Sequence, residues 1–175
     1  MALGTHGYQT VYTEPVSTVT ATNSVNIGSR RFEGGTEYVY VYNAESTAAI
    51  GYGVVQVSTS TGYSVTVSTV VGNKCFGVVQ NTDLNAESYG WVAVRGPVHL
   101  AMMVFVSNVS AATGYAVICG TDGPFTYAGC AHGTEGFDAG VTDSGGVTWA
   151  FAQVGNTLET IGTSQTGSAY INCNT

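Results

Sequence analysis

Lysine is almost missing from this chain: it occurs once, at Lys74, and only Arg30, Arg31 and Arg95 join it as cations. Charged residues fill 9% of the positions, against roughly 25% in ordinary soluble domains. Four scattered cations and a formal net charge of −7 exclude the phosphate-neutralising footprint of a nucleic-acid binder. Long apolar runs are lacking too. Val98 to Val106 is the most apolar stretch, strand-like in length and far short of the ~20 residues of a membrane-spanning helix. The stretch MALGTHGYQTVYTEP has no basic segment followed by an apolar one, so no secretory leader is expected and synthesis in a cytoplasm is. The four cysteines, Cys75, Cys119, Cys130 and Cys173, form no C-x-x-C pair, which excludes a zinc ribbon or finger. Buried free thiols are expected of a cytoplasmic product. A disulfide formed late, outside the cell, stays open, and the spacing names no partners.

What fills the gap is Gly (24 of 175 residues) with Ser, Thr, Val and Tyr. Val, Thr and Tyr favour a pleated, half-buried surface, and Gly supplies turns. Leucine is scarce, so the composition is poor for helices. A surface of Ser, Thr, Asn, Tyr and Gly suits lasting contact with another protein, because interfaces are depleted in Lys and Glu and enriched in aromatics.

Thr36 to Asn43, TEYVYVYN, is the clearest strand, with Tyr38, Tyr40 and Tyr42 alternating with Val39 and Val41. Both of its faces are non-polar, so cover on both sides is expected, the valines inward and the tyrosines toward a partner or another layer. Further strands are expected over Tyr52–Val57, Tyr63–Val71, Cys75–Gln80, Gly90–Arg95, Val98–Val106, Tyr115–Cys119, Val147–Val154 and Ala169–Cys173. Asn81 to Tyr89 reads as a turn or short helix. Pro97 lacks a ladder donor, so a break is expected at Gly96-Pro97. Many short strands with turn signals between them predict an all-β fold, a sandwich or barrel of short antiparallel strands. Residues 1–30 read as an extended N-terminal arm, since Met1 to Ile27 lacks the apolar density for a core of its own and such arms often order on a neighbour. Residues 31–175 then form a single β-rich domain with a Gly-rich excursion over 124–146. Gly53-Val54-Val55-Gln56 and Gly77-Val78-Val79-Gln80 echo each other weakly.

Chemistry is sparse. Asp143-Ser144-Gly145-Gly146 looks like the nucleophile loop of chymotrypsin-like proteases, but Thr142 stands where that family has Gly. None of the histidines, His6, His99 or His132, has the surroundings of a triad base. Cys130, His132 and Glu135 cluster in a loop yet offer too few strong ligands for a stable metal site. The calcium-loop spacing, the phosphate-binding glycine fingerprints and H-E-x-x-H are absent. Trp91 and Trp149 read as core anchors. The expectation is therefore no catalytic residue, no cofactor and no metal.

Three stretches carry a resemblance: Arg31 to Ala44 (RFEGGTEYVYVYNA); Gly77-Val78-Val79-Gln80-Asn81 running through Tyr89 to Gly96 (YGWVAVRG); and Val154 to Thr160 (VGNTLET) with the closing strand Ala169 to Cys173. Their order resembles small structural proteins of tailed phages, most of all head-decoration (capsid cement) proteins. The resemblance implies a non-enzymatic β-rich protein, often a homo-trimer or dimer. It would bind the major capsid protein on the virion surface after synthesis in the host cytoplasm, with no nucleic acid or membrane as partner. Within that reading Tyr38, Tyr40, Tyr42, Arg30 and Arg31 are the candidate interface, and Met1 to Ile27 is expected to supply part of the contact. A tail or fibre protein is the alternative in the same class. A carbohydrate-binding adhesive β-sandwich is the alternative outside it.

Overall fold

The computed structural model describes residues 12–57, 62–67, 75–104, 113–114, 116–119, 128–131, 141–142, 148–149, 153–161 and 166–173. Every element among them is a strand. In chain order these are β1 (Val19–Thr20), β2 (Arg30–Glu33), β3 (Thr36–Asn43), β4 (Val54–Val57), β5 (Ser64–Val67), β6 (Gly77–Val79) and β7 (Tyr89–Val104). They continue as β8 (Ala116–Cys119), β9 (Ala128–Ala131), β10 (Val141–Thr142), β11 (Thr148–Trp149), β12 (Gln153–Thr157) and β13 (Thr166–Asn172). The all-β expectation holds, and the sheet is mixed rather than purely antiparallel.

The pairings close two rings. In the first, β3 lies parallel to β5, and antiparallel pairs then run β5–β4, β4–β6, β6–β7 and β7–β3. In the second, β7 lies parallel to β9, and antiparallel pairs run β9–β8, β8–β12, β12–β13 and β13–β7. The winding is the same: first strand parallel to third, then third–second, second–fourth, fourth–fifth, fifth–first. The molecule is two five-stranded barrels sharing β7, which is the last strand of one and the first strand of the other.

Local details repeat with the winding. Tyr52 (φ 62°) and Gly114 (φ 86°) hold the same left-handed turn two residues before the second strand of each barrel. Their N–H groups donate to Val79 O at 3.1 Å and Thr157 O at 2.8 Å respectively, each at the end of the fourth strand. Leu84 and Ile161, both fully buried, plug the two interiors. Six residues beyond each plug stands a glycine against which it packs: a Cβ on Gly90 would meet Leu84 Cδ1, and one on Gly167 would meet the Ile161 side chain. Gly77 and Gly155 face the buried valines Val55 and Val117 across the second–fourth strand pair. These two glycines let the fourth strand press onto the backbone of the fifth. The sequence echo between Gly53–Gln56 and Gly77–Gln80 is a different matter: it marks β4 and β6, neighbours within one barrel.

The expected break at Gly96-Pro97 is a correction. β7 runs unbroken for 16 residues through both. Gly96 turns the strand at φ 111°, and a Cβ there would strike Gly35 O and Thr36 Cα, so glycine is required twice over. Pro97 is tolerated because β3 has ended: its last partner on β7 is Arg95. The Pro97 carbonyl faces that side and accepts from Thr36 Oγ1 at 2.7 Å. Its missing N–H would point the same way, where no ladder partner remains.

Two further expectations change. Tyr12 to Ile27 does not wait for a neighbour: β1 pairs with β7 (Val19 with Gly90), and Tyr12, Val16 and Val25 pack on the core. Met1 to Val11 lies outside the described residues. The 124–146 excursion is not all loop, since β9 belongs to the second barrel and β10 pairs with β11 (Val141 with Trp149). The polar stretch after β6 holds no helix; it returns through Leu84, which bridges Ala49.

Two predictions follow from this packing. Gly155→Ala should destabilise the fold by about 3 kcal/mol or more in chemical denaturation, because its Cβ would strike the backbone of Tyr170 and Ile171. Gly62→Ala, with open space around it, should change stability by less than ~0.5 kcal/mol. The second concerns Glu159, whose carboxylate accepts from Ser168 N–H at 2.6 Å. That bond, then the Ser168 hydroxyl, holds its pKa below the ordinary 4.5. A depressed folded pKa stabilises above the unfolded value and is lost as pH falls through the folded one. Acid unfolding of Glu159→Gln, followed below pH 4.5, should therefore show a shallower loss of stability.

Candidate functional site

β3 is apolar on both faces because it separates two cores. Val39 and Val41 point into the first barrel with Val55, Val65, Val92, Val94 and Leu84. Tyr38 and Tyr40 point the other way, into a cluster with Trp91, Leu100, Val117, Ile161 and Ile171. The outside of the first barrel is thus continuous with the inside of the second, as a shared strand demands.

That placement corrects the tyrosine interface. Tyr38 is 9% exposed and Tyr40 1%, and burial pushes the Tyr38 hydroxyl pKa up. The Tyr40 ring meets Trp91 edge-on at 5.1 Å, and its hydroxyl lies 3.2 Å from Ser24 Oγ. Neither is available to a partner while the chain is folded. Tyr42 is half-buried, tilted against Tyr89 at 4.8 Å.

Arg31 also works inward. Its guanidinium lies 5.6 Å from the centre of the Trp91 ring and 6.0 Å from that of Tyr12. It donates to Glu14 O at 2.6 Å and pairs with Glu33. Tyr12 in turn meets Trp91 edge-on at 4.9 Å. One guanidinium therefore fastens the N-terminal segment to the aromatic face of the barrel. Cation–π contact with desolvated rings is worth up to ~2 kcal/mol.

The outward surface is the β2–β3 hairpin, on which sequence reasoning named Arg30 and Arg31 but missed Phe32 and the turn. Gly34 (φ 59°) and Gly35 (φ 84°) form its two-residue turn, which needs left-handed backbone at both positions. β2 ends the strand order of the sheet. On it Phe32 is 76% exposed, the most exposed large apolar side chain among the described residues. Around it Arg30 pairs with Glu37 and Arg31 with Glu33, so two cations and two carboxylates cancel. The hairpin combines an apolar knob, a terminal strand and no net charge. The sequence clue was Gly34-Gly35 flanked by opposite charges at Arg30 and Glu37, which marks a hairpin rather than a strand after a loop.

A polar cleft of about 370 Å³ lies beside the N-terminal segment, lined by Tyr12, Thr13, Glu14, Ser24, Asn26 and Ser29 among others. Of the suspected chemistry, His99 stands exposed on β7 beside Tyr52 (ring centres 5.9 Å apart). Asp143, Ser144, His6, His132 and Glu135 lie outside the described residues. Among the described residues no group of three or more His, Cys, Asp or Glu is placed to hold a metal ion. Compared with known proteins, the chain matches no family model and no curated protein sequence.

Arg31→Ala should cost about 2 kcal/mol and expose Thr13 to Asn26 to rapid amide exchange. Arg30→Ala, whose own side chain is 41% exposed in its pair with Glu37, should cost about 1 kcal/mol and leave exchange in that segment as it was.

Proposed function

We propose that this chain is a non-catalytic structural protein of a tailed-phage particle, which binds the assembled capsid as a decoration protein. The observation that carries the reading is the β2–β3 hairpin. A terminal strand presents Phe32 while every charge on the hairpin is internally paired. Such a surface docks by adding its edge to a neighbouring sheet, and it buries no unpaired charge on docking. The low-charge skin agrees, since cover by another protein requires little desolvation of Lys and Glu. The resemblance of Arg31–Ala44 and Tyr89–Gly96 to head-decoration proteins supports the major capsid protein as the partner. Binding that is restricted to the assembled lattice stabilises it by mass action. The acidic net charge of −7 suits the outer face of a shell rather than the DNA-facing one.

The polar cleft beside Tyr12 favours the adhesin as a second reading, which glycan-array binding by the purified chain would support.

The test adds purified chain to capsids that lack it. Saturable binding in a fixed ratio to the major capsid protein is expected. Phe32→Asp should weaken that binding 30-fold or so, the loss typical of an anchor residue, with an unchanged melting curve. A handful of copies per particle would move the chain to the tail or fibre, and no binding at all would sink the virion reading.

A further inference from the structure

Cys75 and Cys173 stand 98 positions apart in the chain, yet their sulfurs are 3.4 Å apart. Both are buried, 3% and 7% exposed. Cys75 leads into β6 of the first barrel, and its Sγ lies 3.4 Å from Gly77 O. Cys173 follows β13, the closing strand of the second barrel, and its N–H donates to Val94 O at 2.8 Å. The pair thus spans the seam between the barrels, within the cluster that contains Tyr38, Trp91 and Ile171.

We propose that Cys75 and Cys173 form a disulfide that locks the two barrels together once the folded chain meets an oxidising environment. A disulfide bond is ~2.05 Å long, so the sulfurs must approach by about 1.4 Å, a distance within reach of side-chain rotation. The oxidant is a low-molecular-weight disulfide. Cys173 loses its proton and its thiolate attacks one sulfur of the oxidant, expelling one thiolate. Cys75, also deprotonated, then attacks the Cys173 sulfur and expels the second. Two protein thiols are oxidised to one disulfide, and the small disulfide is reduced to two thiols. Access requires only that the end of β13 release its bond to Val94, a local opening that leaves both rings intact.

The bond closes a loop of about 100 residues, the kind for which a crosslink restricts the unfolded chain most. It also ties β13 to the entrance of β6, so β13 cannot peel from β7 without strain on the first barrel. A reducing cytoplasm keeps the thiols apart and an extracellular particle does not. That timing rests on the virion reading, whereas the pairing itself does not.

The full chain, purified under reductant, is treated with oxidised glutathione, denatured with an alkylating agent present, and mapped by peptide mass spectrometry. A peptide pair joined through Cys75 and Cys173 is expected, short of two hydrogen atoms. The oxidised chain should melt about 5–15 °C above the reduced one. Cys173→Ala and Cys75→Ala should each melt at a temperature that no longer responds to reductant. Recovery of both cysteines alkylated, linkage of either one to Cys119 or Cys130, or a wild-type melting point indifferent to reductant would overturn the proposal. None of these outcomes bears on capsid binding, which the copy ratio decides.

Discussion

The hydrogen bonds along β7 are what the rest of the molecule hangs from. Its first half pairs with β3 on one edge and with β6 and β1 on the other; its second half pairs with β13 and β9. A strand can serve two barrels only if it turns between them without losing its ladder. Gly96 supplies the turn, and Pro97 sits where the ladder needs no donor. Any side chain at Gly96 would collide with the Gly34-Gly35 hairpin turn. The pivot of the shared strand and the outward hairpin are therefore fixed by the same contact.

Sharing a strand has an energetic consequence. A face that would be solvated on an isolated barrel becomes the core between two, so Tyr38, Tyr40, Trp91 and Ala93 are buried although they point out of the first ring. The remaining open side is closed by Tyr12, Val16 and Val25, with Arg31 clamped over the rings. Burying each aromatic removes a large apolar area from water, and edge-on pairs add ~0.5–1.5 kcal/mol each. Among the described residues Trp91 Nε1 is buried without a hydrogen-bond partner, and desolvating such a group, at ~1–3 kcal/mol, offsets part of this gain.

Much of the architecture was legible. The period-2 pattern of Thr36 to Asn43 marked β3 residue for residue, and the β-branched stretches marked β4, β5 and β6. The site was less so. Alternation told that the two faces of β3 differ but not which would meet a partner, because tyrosine serves a core and an interface equally well. Arg31 reads as a surface cation until Tyr12 and Trp91 are seen around it. Nothing in the local sequence marks Phe32 as exposed; the place of β2 at the end of the sheet does.

Composition and periodicity by themselves determined an all-β chain with little charge and turns at its glycines. These follow from local backbone preference and from side-chain type, which act residue by residue. Only the tertiary structure decided that β7 is shared, that its two rings wind alike, and that Leu84 and Ile161 are their plugs. It alone brought Cys75 to Cys173. Those relations join residues tens of positions apart. Ring closure selects them by matching strand registers all the way round, a condition that no local stretch of sequence carries.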